Sequence, residues 1–321
     1  MSLREKFREG LYDAEQKPRL NYARNYFLGF SIDQDVDFQE LQAFYREWRD
    51  FIEYIVLQKQ TANLRMKGEG DRETFAIKCA KRGNDVYWWR VGKRLRSFQD
   101  LKDHTIFDPH SNFKLSNVLF VTLTYDIKKS TIREAWETIG EDFNTWIQNL
   151  RKKFGRISYL RCWEASRKGY PHIHVVMIFH DYEFNVTRIN GKYRILEKEA
   201  FEKSYHSFVD VQAIREMKQG IRYVTKYLTK IQNENQKQNL TLALCWLFRK
   251  RSYAISGDFN KLIVTKTRSN ILVQVDLNGV EIRLKVEYIF VGIFSAKRLG
   301  IDRNEWWKFI TDIAVLNDIL T

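Results

Sequence analysis

Between residues 116 and 232 the apolar positions switch between two periods, and each switch marks an element. Asn117–Thr124 (NVLFVTLT) is a short apolar, β-branched run that predicts a strand. Over 131–154, Ile132, Trp136, Ile139, Phe143, Ile147 and Leu150 recur at three- and four-residue steps, the stripe of an amphipathic helix. Ile157–Glu164 and His172–Phe179 predict two further strands, joined by the turn-forming segment 166–171 (SRKGYP). A helix near 195–206, a strand near 208–214 and a helix near 217–232 follow.

The resulting order, βαββαβα, describes an α+β fold. Its expected form is an antiparallel sheet with helices on one side, a ferredoxin-like or RRM-like core. Outside it the pattern is looser. Residues 35–60 predict a helix, with Phe38, Leu41, Phe44 and Tyr45 at helical spacing. The basic-aromatic run Tyr87-Trp88-Trp89-Arg90-Val91-Gly92-Lys93-Arg94-Leu95-Arg96 either packs a helix onto the core or stacks bases beside a positive groove. Packing, with the cations outward, is the favoured reading. Beyond 236 come a basic triplet, Arg249-Lys250-Arg251, strand-like segments near 261–266, 270–276 and 280–290, and a helix near 303–320. Three parts are expected: an N-terminal helical and basic extension (1–115), a core (116–235) and a C-terminal basic α/β extension (236–321).

Composition narrows the function. Apolar residues make up 44% and charged residues 29% of 321, as in an ordinary globular protein. No apolar run approaches the roughly 18 residues of a membrane helix, and the first residues are charged, so a cytoplasmic location with no membrane partner is expected. Lys and Arg number 54 against 40 Asp and Glu, a net charge of +14 that favours a polyanionic partner. Cys79, Cys162 and Cys245 are far apart, which excludes a zinc ribbon or a disulfide framework. No GxxxxGK[ST] run occurs, which excludes a P-loop motor.

Two groups of residues carry chemistry. His172 and His174 lie two apart inside an apolar strand, so both rings project from one face. They are either satisfied core histidines or metal ligands. In the simplest hairpin register, paired residue numbers sum to 336, which sets Glu164 opposite His172 on the same face. Two imidazoles and a carboxylate with open positions suit Mg²⁺, Mn²⁺ or another divalent ion; the alternative for Glu164 is an ion pair with Arg167 or Lys168. On the 221–231 helix, Ile221, Val224, Leu228 and Ile231 share one face, while Tyr223, Lys226, Tyr227 and Lys230 share nearly the opposite one. Phenols four apart are neighbours. They are either paired nucleophiles, with the lysines stabilising phenolate or phosphate charge, or part of a solvated face.

Three motifs in order resemble the HUH endonucleases that initiate rolling-circle replication. Phe120-Val121-Thr122-Leu123-Thr124 resembles their FxTLT strand, Pro171-His172-Ile173-His174-Val175-Val176-Met177 their HUH strand, and Tyr223-Val224-Thr225-Lys226-Tyr227-Leu228-Thr229-Lys230 the YxxKY helix of the two-tyrosine, gene A protein-like branch. The resemblance spans roughly 116–232. It implies a ferredoxin-like core and a divalent metal, Mn²⁺ or Mg²⁺, on His172, His174 and Glu164. It also implies alternating nucleophiles Tyr223 and Tyr227 that nick single-stranded or hairpin origin DNA of a plasmid or virus in a prokaryotic host. The first strand is then scaffold, with no catalytic role for Thr122 or Thr124. Without a P-loop, unwinding and synthesis fall to a host helicase and polymerase. Rival readings are an HUH transposase or relaxase, and a non-cleaving RRM-like binding protein with Tyr159 and Trp163 as stacking residues.

Overall fold

The computed structural model describes residues 8–13, 16–29, 38–63, 72–96, 115–214, 220–222, 224, 236–261, 271–275 and 281–320. In chain order the elements begin with α1 (Leu20–Gly29), α2 (Phe38–Asp50), β1 (Glu53–Asn63), β2 (Arg72–Lys78) and α3 (Asp85–Arg96). Next come β3 (Leu115–Ser116), β4 (Val118–Thr124), α4 (Ile132–Phe154), β5 (Ile157–Ala165) and β6 (Pro171–Phe179). A hairpin, β7 (Phe184–Ile189) and β8 (Lys192–Ile195), leads to α5 (Lys198–Lys203) and β9 (Phe208–Ala213). The chain continues through α6 (Gln236–Leu247), β10 (Tyr253–Ile255), α7 (Gly257–Lys261), β11 (Ile271–Val275) and β12 (Glu281–Ser295). It ends with α8 (Ala296–Leu299), β13 (Trp307–Phe309) and α9 (Ile313–Leu320). Two units form, residues 1–48 with 88–264 and residues 49–87 with 265–321.

In the first unit α4 decides the architecture. Thr131 caps it in a reciprocal box: its side chain accepts from the Glu134 N–H, and the Glu134 carboxylate accepts from the Thr131 N–H. The stripe Ala135, Trp136, Ile139, Phe143, Trp146, Ile147 and Leu150 is buried. It covers one face of an antiparallel sheet whose described strands run β10-β5-β6-β4-β9. Odd-numbered residues of the strands supply that face, among them Leu119, Val121, Leu123, Trp163, Ile173, Val175, Met177, Val209 and Val211, all in one core. Even-numbered residues fall on the other face, because strand side chains alternate.

The β5–β6 loop sets the register between its strands. Ser166 N–H donates to the Tyr170 carbonyl at 2.7 Å and Gly169 N–H to the Ser166 carbonyl at 3.0 Å. Gly169 has φ +87°, a left-handed conformation that glycine adopts at low cost, and a Cβ there would lie 2.6 Å from the Phe38 ring. The buried Trp136 indole N–H donates to the Gly169 carbonyl at 2.8 Å, tying the turn to α4.

Several sequence expectations change. The helix read over 35–60 ends at Asp50, and β1 follows. β-Branched Ile55, Val56 and Thr61 suit the pleated surface better than a helix. The expected helix near 195–206 shortens to α5, because Tyr193–Ile195 belong to the β7–β8 hairpin. Of the expected 217–232 helix, Gly220–Arg222 and Val224 are helical and the rest lies outside the described residues. The expected 303–320 helix is a strand, β13, followed by α9. The 87–96 run is helical as expected; Trp88 packs on the core, whereas Trp89 is exposed.

The second unit is an antiparallel sheet in the order β11-β12-β1-β2-β13. Tyr54, Val56 and Ala76 bury one face of it against Leu299, Ile301, Ile310 and Ile319. Glu53 and Lys81 form a buried ion pair at 2.8 Å. No described helix is long and apolar enough to cross a membrane.

Gly169→Ala is expected to destabilise the first unit by about 1–3 kcal/mol from backbone strain alone, with the Phe38 contact adding to it. Urea unfolding followed by tryptophan fluorescence measures this; an unchanged midpoint would refute the role given to the turn.

Candidate active site on the histidine face

β6 carries His172 and His174 at its start, and both rings fall on the sheet face away from α4. The β5–β6 register pairs Glu164 with His172 and Cys162 with His174, the register in which residue numbers sum to 336. On the other side β4 pairs Thr124 with His172 and Thr122 with His174, and β9 adds Phe208 and Asp210 to the same two rows. One row therefore reads Glu164, His172, Thr124, Phe208, and the next reads Cys162, His174, Thr122, Asp210.

Contacts across the rows orient each ring. His174 Nε2 lies 2.7 Å from Glu164 Oε2, and its Nδ1 lies 3.1 Å from Thr122 Oγ1. The Phe120 ring stacks on His174 with a 12° interplanar angle and centroids 5.9 Å apart. His172 Nδ1 lies 3.2 Å from Thr124 Oγ1. His174 is buried and His172 half-buried. Glu164 thus meets His174, diagonally across the hairpin. At the far end of the second row, Asp210 is ion-paired with Arg194 and accepts from the Gln212 amide at 2.8 Å. Burial works to raise the Asp210 pKa, but the bonds from Gln212 and Arg194 outweigh it and hold the carboxyl below its usual range.

Cys162 shares the second row with His174 but is no thiolate donor. Burial, and then the Glu164 charge, push its thiol well up. The donors left are nitrogen and oxygen. Among the described residues no three of His, Cys, Asp and Glu stand as a ready metal cage. The donor chemistry of His172, His174 and Glu164 nonetheless fits a divalent ion. Both Nδ1 atoms face threonine hydroxyls, the outer-shell arrangement that leaves Nε2 as the ligating atom. Neighbouring ligands of a small octahedral ion stand about 3 Å apart, close to the 2.7 Å between Nε2 and Oε2.

Tyr223, Lys226, Tyr227 and Lys230 lie outside the described residues. The helical residues just before them are described. Ile221 and Val224 of the apolar stripe are fully buried, and Arg222 is exposed. A Cβ at Gly220 would lie 2.6 Å from Ile214 Cδ1 and 3.3 Å from Val176 Cγ2. Val176 follows His174 by one even position on β6, so the backbone at Gly220 approaches closely on the histidine face.

Sequence reasoning left out four contributors: Thr122, Thr124, Phe208 and the Arg194–Asp210 pair. The alternation of β4 held the signal for the threonines, since even positions that pair with a His-x-His strand must face its rings. Tyr159 and Trp163, the stacking candidates of the binding-protein reading, are turned the other way. Both pack edge-on against Phe143 of α4, with centroids 5.2 and 6.0 Å from its ring.

Sheet and site together define an α+β protein with a His-x-His strand, a carboxylate and two hydroxyls on one open face. A family model described as replication-associated protein ORF2 matches residues 118–232, from the first residue of β4 through the described start of the last core helix. That is just over a third of the chain. No curated protein and no solved structure matches.

Thr122→Val is expected to destabilise the protein by about 1–3 kcal/mol, because it leaves a buried imidazole nitrogen without a partner. Thr124→Val, beside the more exposed His172, is expected to cost less. Denaturation of both variants checks the order, and a reversed order would reject the assigned contacts.

Proposed function

We propose that the protein is a replication initiator of the HUH class, which nicks and rejoins single-stranded or hairpin origin DNA through a phosphotyrosine. The observation that carries this reading is the convergence of Glu164, His172 and His174 on the sheet face that Gly220 approaches. The family match over 118–232 supports a role in replication. The core strands run β5-β6-β4-β9; numbered by their own sequence this is 2-3-1-4, an order in keeping with a ferredoxin-like core. Charge agrees: residues 49–87 and 265–321 hold 16 Lys and Arg against 13 Asp and Glu, so most of the +14 excess lies on the unit with the histidines.

In this reading His172, His174 and Glu164 hold Mn²⁺ or Mg²⁺, which supplies Lewis acidity toward a phosphate oxygen. Thr122 and Thr124 fix the ring orientations. Tyr223 or Tyr227 attacks the phosphorus: a Tyr Oη–P bond forms, the P–O3′ bond breaks, and the phenol proton leaves as the 3′ oxygen gains one. Lys226 and Lys230 offset phenolate and phosphate charge. The DNA 5′ end stays on the protein and the free 3′-OH serves a host polymerase, with unwinding by a host helicase. The second tyrosine repeats the attack after one round, which closes the displaced strand.

The experiment is incubation of the protein with Mn²⁺ and a random-sequence single-stranded DNA pool, followed by a denaturing gel. A 3′-label is expected to migrate with the protein and a 5′-label to be released. Label released without any protein-bound species would remove the tyrosine chemistry. The Tyr223→Phe, Tyr227→Phe double variant is expected to form no adduct, and His174→Ala or chelation by EDTA to abolish it while DNA binding persists. Full adduct yield under either of the last two conditions would reject the metal.

A further inference from the structure

A cavity of about 380 Å³ opens between the β4–α4 loop and Tyr170. Ile127, Ile132 and Tyr170 line it together with Lys128, Lys129 and Ser130. The size is within the range of small-ligand pockets, roughly 300–1,000 Å³. Its polar groups are of two kinds. Ser130 Oγ is buried with no hydrogen-bond partner, whereas the Ser130 carbonyl accepts from the Tyr170 hydroxyl at 3.0 Å. A buried hydroxyl without a partner is uncommon in a folded protein and is met by a ligand atom. Lys128 makes no ion pair among the described residues, and Lys129 reaches Asp126 only at 3.9 Å. The one carboxylate at the cavity, Glu134, is occupied by the Thr131 N–H at 2.8 Å and the Thr131 hydroxyl at 2.9 Å. The wall is therefore apolar and aromatic, with free cationic charge and an open hydroxyl.

Position supplies the rest. Tyr170 stands two residues before His172, and Ile127 three residues after Thr124. The cavity thus lies just past the end of the sheet at which Glu164, His172 and Thr124 form the outermost polar row. We propose that it is a nucleotide subsite, which takes one base of a single-stranded DNA crossing the histidine face while Lys128 and Lys129 hold the flanking phosphates. A planar base suits the tyrosine and isoleucine walls, and its ring nitrogens or exocyclic groups suit Ser130 Oγ. The inference rests on the DNA-strand reading above.

The test uses the full chain and a 30-nucleotide oligo-dT containing 5-iododeoxyuridine. Irradiation is expected to cross-link the strand to Tyr170. The Lys128→Ala, Lys129→Ala double variant, at two exposed loop positions, is expected to bind about tenfold more weakly at moderate salt. Its salt dependence should flatten by about 1.4 in log–log slope, the counterion release of two phosphates on a single strand. Free dTMP is expected not to displace the oligonucleotide. Unchanged affinity and slope, or cross-links only elsewhere, would overturn the subsite; displacement by dTMP would give the cavity to a free nucleotide and overturn it equally. Adduct formation by the wild type on the random pool is scored separately, so loss of the nicking reading is distinguishable from loss of the subsite.

Discussion

The pairing of β5 with β6 gives the histidine face its chemistry, and apolar packing on the opposite face holds that pairing in place. Trp163, Ile173, Val175 and Met177 are buried under α4. A slip of one residue would turn them to the open face and Glu164 into the core. Each large side chain so exposed forfeits about 1.5–3 kcal/mol, whereas a hydrogen bond such as that between Glu164 and His174 contributes only about 1 kcal/mol. The helix side therefore outweighs the polar side several times over. The site is held in register by residues that take no part in its chemistry, and the Trp136–Gly169 bond adds a direct strut from helix to turn.

That division explains what could be read from the chain beforehand. Strands β4, β5 and β6, helix α4 and the Glu164–His172 pairing follow from period-two and period-3.6 patterns, which local packing enforces. The long β1–β12 pairing joins segments more than two hundred residues apart, so nothing local told 53–63 that it would be a strand. Likewise β10 is three residues of partly buried chain, recognisable only through its partner Cys162–Leu160 on β5. The threonine–histidine contacts are also long-range, between positions 122 and 174 and between 124 and 172. They became visible once the strand order placed β4 next to β6 rather than next to β5.

A single interruption of the first unit by residues 49–87 has a further consequence. The second sheet is completed only when β11, β12 and β13 arrive from the far end of the chain. Its Tyr288, Phe290, Trp307 and Phe309 are exposed. Near-balanced charge sets this unit apart from the basic one, so the electrostatic pull on a polyanion comes from the unit that also presents the histidines, where long-range attraction and local chemistry act on the same ligand.

Threonine is well matched to its place beside these rings. A hydroxyl donates and accepts, so Thr122 can serve His174 Nδ1 in either tautomer. With a proton on Nε2, the ring donates to Glu164 and accepts from Thr122; with the proton on Nδ1, it donates to Thr122 and frees the Nε2 lone pair. A carboxylate in place of Thr122 would accept only, and a lysine would donate only, so either would lock one tautomer or charge the ring. Valine would keep the β-branched shape the strand favours but leave Nδ1 unanswered. Of the β-branched residues that suit a central strand, threonine alone leaves the imidazole able to exchange its proton for another partner without moving the backbone.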